Sequence, residues 1–333
     1  MVKCGFFSLL LSLLLVFTPA AISAKELILG GQNIGVELNV NGLLVSGTYK
    51  FMVGDRMYTP SEDGIRKGDL IVAANGVVID SVDDLMSVLS CNDGVESAVK
   101  LTILRDYSTF DVDVLVGRKN VGDKWKTGLF VKEKVLGVGT VTFYDMSNNT
   151  YGALGHRMGS IDGNNKFYGG KIYESEVKGI KKSKNGDPGE KIAIIDEDKY
   201  IGSVDINNEY GIYGIIEDDV SSYLVMESAS RDEVKTGKAY IYTVIDGDEL
   251  EKFEIEIVKL KKQNSIDTKG ITFKVIDKKL LSKTNGIVAG MSGSPIVQDG
   301  KIVGAVTHVL IDKVNYWYGI YIDFMLEQSD TLS

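Results

Sequence analysis

The stretch Gly290-Met291-Ser292-Gly293-Ser294-Pro295 sets a serine between glycines, directly ahead of a series of apolar runs. Glycine on both sides permits a tight turn and leaves no side chain to crowd an approaching carbonyl group. It also lets successive backbone N–H groups converge on one point. Ser292 is therefore a candidate nucleophile, with the N–H groups of Gly290 and Ser292 as candidate oxyanion donors. Residues 302–310 and 316–322 follow as strand-like runs, and residues 238–245 and 253–258 precede it, flanking an Asp246-Gly247-Asp248 turn. Further upstream, residues 138–144 and 191–195 are apolar and β-branched. Short strands broken by Gly, Asn and Asp turns predict a mainly β barrel or sandwich rather than a βαβ sheet. The charged, Gly-containing segment 174–188 reads as a surface loop.

A serine nucleophile needs a base, and the chain has two histidines. With an ordinary pKa of about 6.5, histidine suits proton transfer near neutrality. His156 lies in Tyr151-Gly152-Ala153-Leu154-Gly155-His156-Arg157-Met158, and His308 in the strand-like Gly304-Ala305-Val306-Thr307-His308-Val309. The third requirement is an acid that fixes the imidazole tautomer, for which Asp145, Asp162 and Asp277 are candidates. Spacing does not choose among them. Asp277 is also well placed to cap a short helix over 278–283 that Asn285-Gly286 would end.

Residues 34–118 form a module with a different pattern. A strand opens at Ile34-Gly35-Val36, and Leu43-Leu44-Val45 continues it beyond an Asn41-Gly42 turn. Asp63-Gly64-Ile65-Arg66-Lys67-Gly68-Asp69-Leu70-Ile71 then leads to an Asn75-Gly76 hairpin turn. Ser81 and Asp84 predict a capping box, with Val82, Leu85, Met86 and Leu89 on one helix face. Two alternating strands follow. This order resembles a bacterial PDZ domain, a fold that captures a peptide end or extended segment as an added strand. The resemblance implies that Ile34, Gly35 and Val36 bind the peptide, with the helix over 81–90 as the other wall of the groove. A domain that only braces its neighbour is the plainer alternative.

The bulk properties exclude several classes. The chain has 333 residues, room for two domains, and a net charge of −9 with no basic run, which argues against nucleic acid as a partner. Lys3, the apolar run 5–17, Pro19 and the small residues 20–24 read as an export signal or an N-terminal anchor. Residues 1–24 are accordingly assigned to that segment, 25–118 to the PDZ module and 119–333 to the second domain. Contact with a membrane would run through the N-terminus. Cys4 and Cys91 are the two cysteines. Cys91, at the end of the predicted helix, reads as a core filler, and neither a metal site nor a cofactor is expected.

Several long motifs together carry a closer resemblance. These are Tyr151 to His156, Gly186-Asp187-Pro188-Gly189-Glu190-Lys191-Ile192-Ala193, Gly286-Ile287-Val288 through Gly290 to Val297, Gly300 to Val309, and Tyr318-Gly319-Ile320-Tyr321-Ile322. They resemble the SpoIVB peptidases, and the serine stretch itself resembles the Gly-Asp-Ser-Gly-Gly-Pro signature of chymotrypsin-like enzymes. The resemblance implies a PDZ domain followed by a chymotrypsin-like double β-barrel, with His156 as base, Ser292 as nucleophile and Asp277 as acid. His308 would line the substrate cleft. In such folds the base comes from the first barrel and the nucleophile from the second, an order that His156 and Ser292 follow. The implied role is an exported endopeptidase acting between forespore and mother cell. There it would cleave a membrane-anchored regulator, release an intramembrane protease and so activate a late mother-cell sigma factor. Ser160 stands where the family often has an acid. A non-catalytic PDZ scaffold and a general envelope quality-control protease are the alternatives.

Overall fold

The computed structural model describes residues 24–106, 108–159, 167–309 and 316–332; the apolar run 5–17, Ser160 and Asp162 lie outside them. Strands β1 (Glu26–Leu29) and β2 (Asn33–Thr48) lead into a small unit. It comprises β3 (Phe51–Val53), β4 (Arg56–Tyr58), β5 (Leu70–Ala74), β6 (Val77–Val78), α1 (Val82–Ser90), β7 (Glu96–Arg105) and β8 (Ser108–Gly117). Next come β9 (Leu129–Asp145), β10 (Thr150–Ala153), β11 (Phe167–Lys181), β12 (Glu190–Val204), β13 (Ile206–Asn208), β14 (Gly211–Ile215) and β15 (Val225–Glu227). The chain ends with β16 (Gly237–Val244), β17 (Leu250–Leu260), β18 (Ile271–Val275), α2 (Lys278–Thr284), β19 (Pro295–Gln298), β20 (Lys301–Val309), β21 (Tyr316–Tyr321) and α3 (Ile322–Ser329).

Strands β16 to β21 close into a barrel in the order β16-β17-β18-β21-β20-β19. Strands β9, β10 and β14 with β1, β2, β11 and β12 form a half-barrel beside it. The expected architecture, mainly β with a PDZ unit and a double barrel, holds. The two barrel halves share apolar packing, because Leu27, Leu29, Phe143 and Tyr213 of the half-barrel enter the core of the closed barrel. The PDZ unit keeps its own core around Leu43, Ile71, Leu85, Leu89, Leu101 and Val114.

Local sequence signals appear where their chemistry demands. Ser81 caps α1 in a capping box with Asp84. Asn75 and Gly76, both at positive φ, turn β5 into β6. Asp277 caps α2, which ends at Asn285 in the left-handed region.

Four expectations fail, mostly because pairing decides them. Asn41-Gly42 does not reverse the chain: β2 runs on through it, and its pairing with β9 shifts register between Asn39 and Leu44. Segment 174–188 is not a loop over its first half. Through Lys181 it belongs to β11, which pairs with β12 over this stretch and with β2 as far as Glu174. Charged residues there face solvent while Ile172 and Val177 are buried, the alternation of a strand. Cys91 is exposed at the end of α1 rather than in a core.

The fourth concerns Ile34, Gly35 and Val36. They lie inside β2, paired with Gly139, Val138 and Gly137 of β9 and with Glu174, Tyr173 and Ile172 of β11. Both edges are occupied, and Ile34 and Val36 are buried. Their amides are committed to sheet ladders and have none to offer a peptide carboxylate.

Candidate active site

The loop that carries Ser292 follows α2 and packs against β9. Thr140 of β9 donates its N–H to the Ser292 carbonyl at 3.1 Å and its hydroxyl to the Gly290 carbonyl at 2.7 Å. Two residues on, the Thr142 hydroxyl donates to the Gly293 carbonyl at 2.7 Å. Alternate residues of one strand thus grip three carbonyls of the loop. Gly293 adopts φ +93°, and a Cβ there would lie 2.0 Å from the Thr140 oxygen and 2.4 Å from the Leu154 nitrogen. No side chain fits between Ser292 and β9, so the glycine is required sterically.

Not all of the loop's N–H groups find an acceptor. Met291 N–H donates to the Val288 carbonyl, Gly293 N–H to Val306 and Ser294 N–H to Met291. Among the described residues no acceptor takes the N–H of Gly290 or Ser292. A buried or half-buried amide is almost always satisfied. Two such groups spaced around Ser292 form the donor pair that an oxyanion requires.

The histidines reach the loop from both barrels. Gly155 packs on the Thr307 side chain and Gly293 on Leu154, which brings the segment before His156 against both the nucleophile loop and β20. Leu154 is held at φ +67°, a strained conformation for a branched side chain, immediately before the Gly155-His156 turn. The His156 and His308 rings face each other with centroids 5.2 Å apart, across a cleft also lined by Glu209, Tyr210, Asp267 and Lys269. His156 Nδ1 sits 2.8 Å from the Arg157 carbonyl oxygen. A carbonyl only accepts, so Nδ1 carries the hydrogen and the lone pair of the neutral ring is on Nε2. Burial holds the His156 pKa below the usual 6.5, against a smaller upward pull from the Arg157 carbonyl. His308 is pushed further, to about 4, by burial first and then by the nearby His156 and Lys269. Both rings are therefore neutral near pH 7.

The Ser292 hydroxyl donates to the Thr307 carbonyl at 3.1 Å, one residue before His308. The structure thus gathers Ser292, His156, His308 and the free amides of Gly290 and Ser292 at the junction of the two barrels. It does not bring the expected acid there. One Asp277 carboxylate oxygen accepts from Leu280 N–H at 2.9 Å, and the other is 3.4 Å from Glu254 N–H, so the group serves α2 and β17. Asp145 is ion-paired with Lys25 at 2.5 Å and bonded to Ser147. Among the described residues the group that engages the His156 ring is instead the main-chain carbonyl of Arg157, which sequence reasoning missed because every residue carries one. Also missed was Lys191, fully buried behind Gly290, although it lies in the Gly186 to Ala193 motif. Among the described residues no group of three His, Cys, Asp or Glu side chains could hold a metal ion.

A search among curated proteins finds no match to the chain. Residues 50–116 match the PDZ domain. Residues 123–326, from just before β9 into α3, match the family described as SpoIVB peptidase S55. That span contains Ser292, both histidines and all of the loop contacts to β9, and the chain belongs to the SpoIVB peptidase S55 family, a serine peptidase joined to a PDZ domain.

Proposed function

We propose that this chain is an exported serine endopeptidase in which Ser292 attacks the scissile carbonyl and His156 takes its proton. The observation that carries the reading is the pair of uncommitted N–H groups, of Gly290 and Ser292, flanking the Ser292 hydroxyl. In this reading the Ser292 hydroxyl leaves the Thr307 carbonyl and passes its proton to Nε2 of His156. The Arg157 carbonyl takes the orienting part usually given to a carboxylate, keeping the tautomer with its lone pair on Nε2. Asp277 supports the site at a distance, by ending the turn into α2. His308 lines the cleft as a neutral ring.

The substrate we propose is a membrane-anchored regulator in the space between forespore and mother cell, whose cleavage releases an intramembrane protease and activates a late mother-cell sigma factor. The family supports this reading, as does a PDZ domain suited to capturing protein segments. Co-expression of the chain with such a regulator tests it: intact regulator beside folded enzyme would remove the assignment.

For the peptide groove, the free edge of β9 replaces the segment at 34–36. Over Leu129 to Lys132, β9 pairs only with β2 among the described residues, and Phe130 is 55% exposed. Glu133 on the same strand accepts from Val82 N–H at 2.6 Å, which places the N-terminus of α1 alongside. An unpaired strand edge beside a helix is the arrangement that accepts an added strand.

The decisive test of the chemistry is labelling by a fluorophosphonate probe. Label on Ser292 that is lost in both Ser292→Ala and His156→Ala is expected, with kcat falling by about 10⁴–10⁶ in either variant. Label retained by folded Ser292→Ala would exclude the nucleophile. For Asp277→Ala the expected result is a loss of about 1 kcal/mol in unfolding free energy, the usual cost of an N-cap, with kcat within about threefold of wild type. A fall of about 10⁴ in kcat would instead make Asp277 the triad acid. Because His156 acts as the neutral base and its pKa is depressed, kcat/KM should rise with pH through a midpoint below 6.5 and then level off. A midpoint above 6.5 would contradict this environment for His156. Phe130→Glu should weaken binding of extended peptides by about tenfold or more, with cleavage of a short peptide unchanged. Equal binding in the two proteins would move the groove elsewhere.

A further inference from the structure

We propose that Lys191 is a positioning residue of the oxyanion hole, holding from behind the peptide groups that leave the Gly290 N–H free. The inference rests on Ser292 being the nucleophile. The Lys191 N–H donates to the Ala289 carbonyl at 2.9 Å, and the Ala289 N–H donates to the Gly189 carbonyl at 3.2 Å. These bonds form a parallel bridge between the start of β12 and the residue before Gly290. A trans peptide points its C=O and N–H in opposite directions. Fixing the Ala289 carbonyl on Lys191 therefore turns the Gly290 N–H away from β12. Clamping the Met291 carbonyl on Ser294 does the same for the N–H of Ser292.

The Lys191 side chain completes the support. A Cβ built on Gly290 would lie 3.2–3.3 Å from the Lys191 methylenes, so the stem runs along the back of the loop. Beyond it, Nζ meets three oxygens: Asn33 Oδ1 of β2 at 3.2 Å, Thr140 Oγ1 of β9 at 3.3 Å and Thr243 Oγ1 of β16 at 3.1 Å. Thr140 has already given its hydrogen to the Gly290 carbonyl, so it accepts from Nζ. Asn33 is oriented by its own amide N–H on Ser175, which turns Oδ1 toward the lysine. Lys191 thus ties both barrels to the carbonyl of an oxyanion-hole residue.

The groups facing Nζ from β2, β9 and β16 are all neutral, and burial alone pushes the Lys191 pKa down to about 7. The three bonds survive that titration. An ammonium donates all three, while a neutral amine donates two and accepts the third from the Thr243 hydroxyl, which is able to act either way. Packing alone does not call for a lysine, since methionine would fill the same channel without desolvating an amine.

The test separates oxyanion binding from ground-state binding. A peptide aldehyde forms a hemiacetal whose oxygen occupies the oxyanion hole; the matching peptide amide does not. In Lys191→Met, kcat and aldehyde affinity should each fall by about 10- to 100-fold, less than or up to the loss of a whole donor, while KM and amide affinity stay within about twofold. Thr140→Val, which cuts the link from Nζ to the Gly290 carbonyl, should reproduce this selectivity, and it carries the test if Lys191→Met does not fold. Unchanged aldehyde affinity, or aldehyde and amide affinities falling together, would overturn the proposal. Labelling of Ser292 in the wild-type protein is scored separately: if it fails, the nucleophile assignment fails, whereas a labelled wild type with an unaltered variant rejects only the role of Lys191.

Discussion

Thr140 and Thr142 hold the Ser292 loop by its carbonyl groups, and that grip fixes where the loop sits on β9. A loop of small residues carrying Gly290 and Gly293 has little conformational preference of its own. Bonded to β9 through the carbonyls of Gly290, Ser292 and Gly293, it has one arrangement. Because the carbonyl and amide of one peptide point opposite ways, these bonds orient the N–H groups of Met291, Gly293 and Ser294, while the N–H groups of Gly290 and Ser292 are oriented by the bonds to the Ala289 and Met291 carbonyls. Electrostatic stabilisation in enzymes depends on donors placed before the charge appears, and a rigid strand behind a glycine loop supplies that placement.

The same strand joins the two functional units. β9 starts at Leu129 against the PDZ core and ends at Asp145 beyond the threonines that hold the loop. The first residues of β9 and the threonines that hold the Ser292 loop therefore lie on one strand. The half-barrel and closed barrel are equally interdependent, since Phe143 of β9 is buried in the core of the other half. The cleft between His156 and His308 lies where these packed surfaces meet.

Much of this was legible along the chain. The capping box at Ser81 and Asp84, the Asn75-Gly76 turn, and the helix after Asp277 depend on bonds between residues a few positions apart, so their sequence patterns predicted them. The nucleophile stretch and the histidines were legible for a different reason: few residue types perform that chemistry, and the chain has two histidines. The segment at 34–36 and the segment 174–188 were not legible. The first is fixed by strands contributed from more than 100 positions away, β9 and β11, and the second by its pairing with β12, which a charged, Gly-containing stretch does not announce.

Residue chemistry alone determined that this protein carries a serine on a glycine turn, two histidines, and β-rich domains to hold them. Only the tertiary structure decided which amides stay unbonded, which group orients the imidazole, and that a buried lysine stands behind Gly290. The physical reason is that hydrogen-bond commitments are exclusive. A carboxylate bound to a helix end, a carbonyl gripped by a distant threonine or an amide left over in a loop can be assigned only when every competing partner has been brought into place.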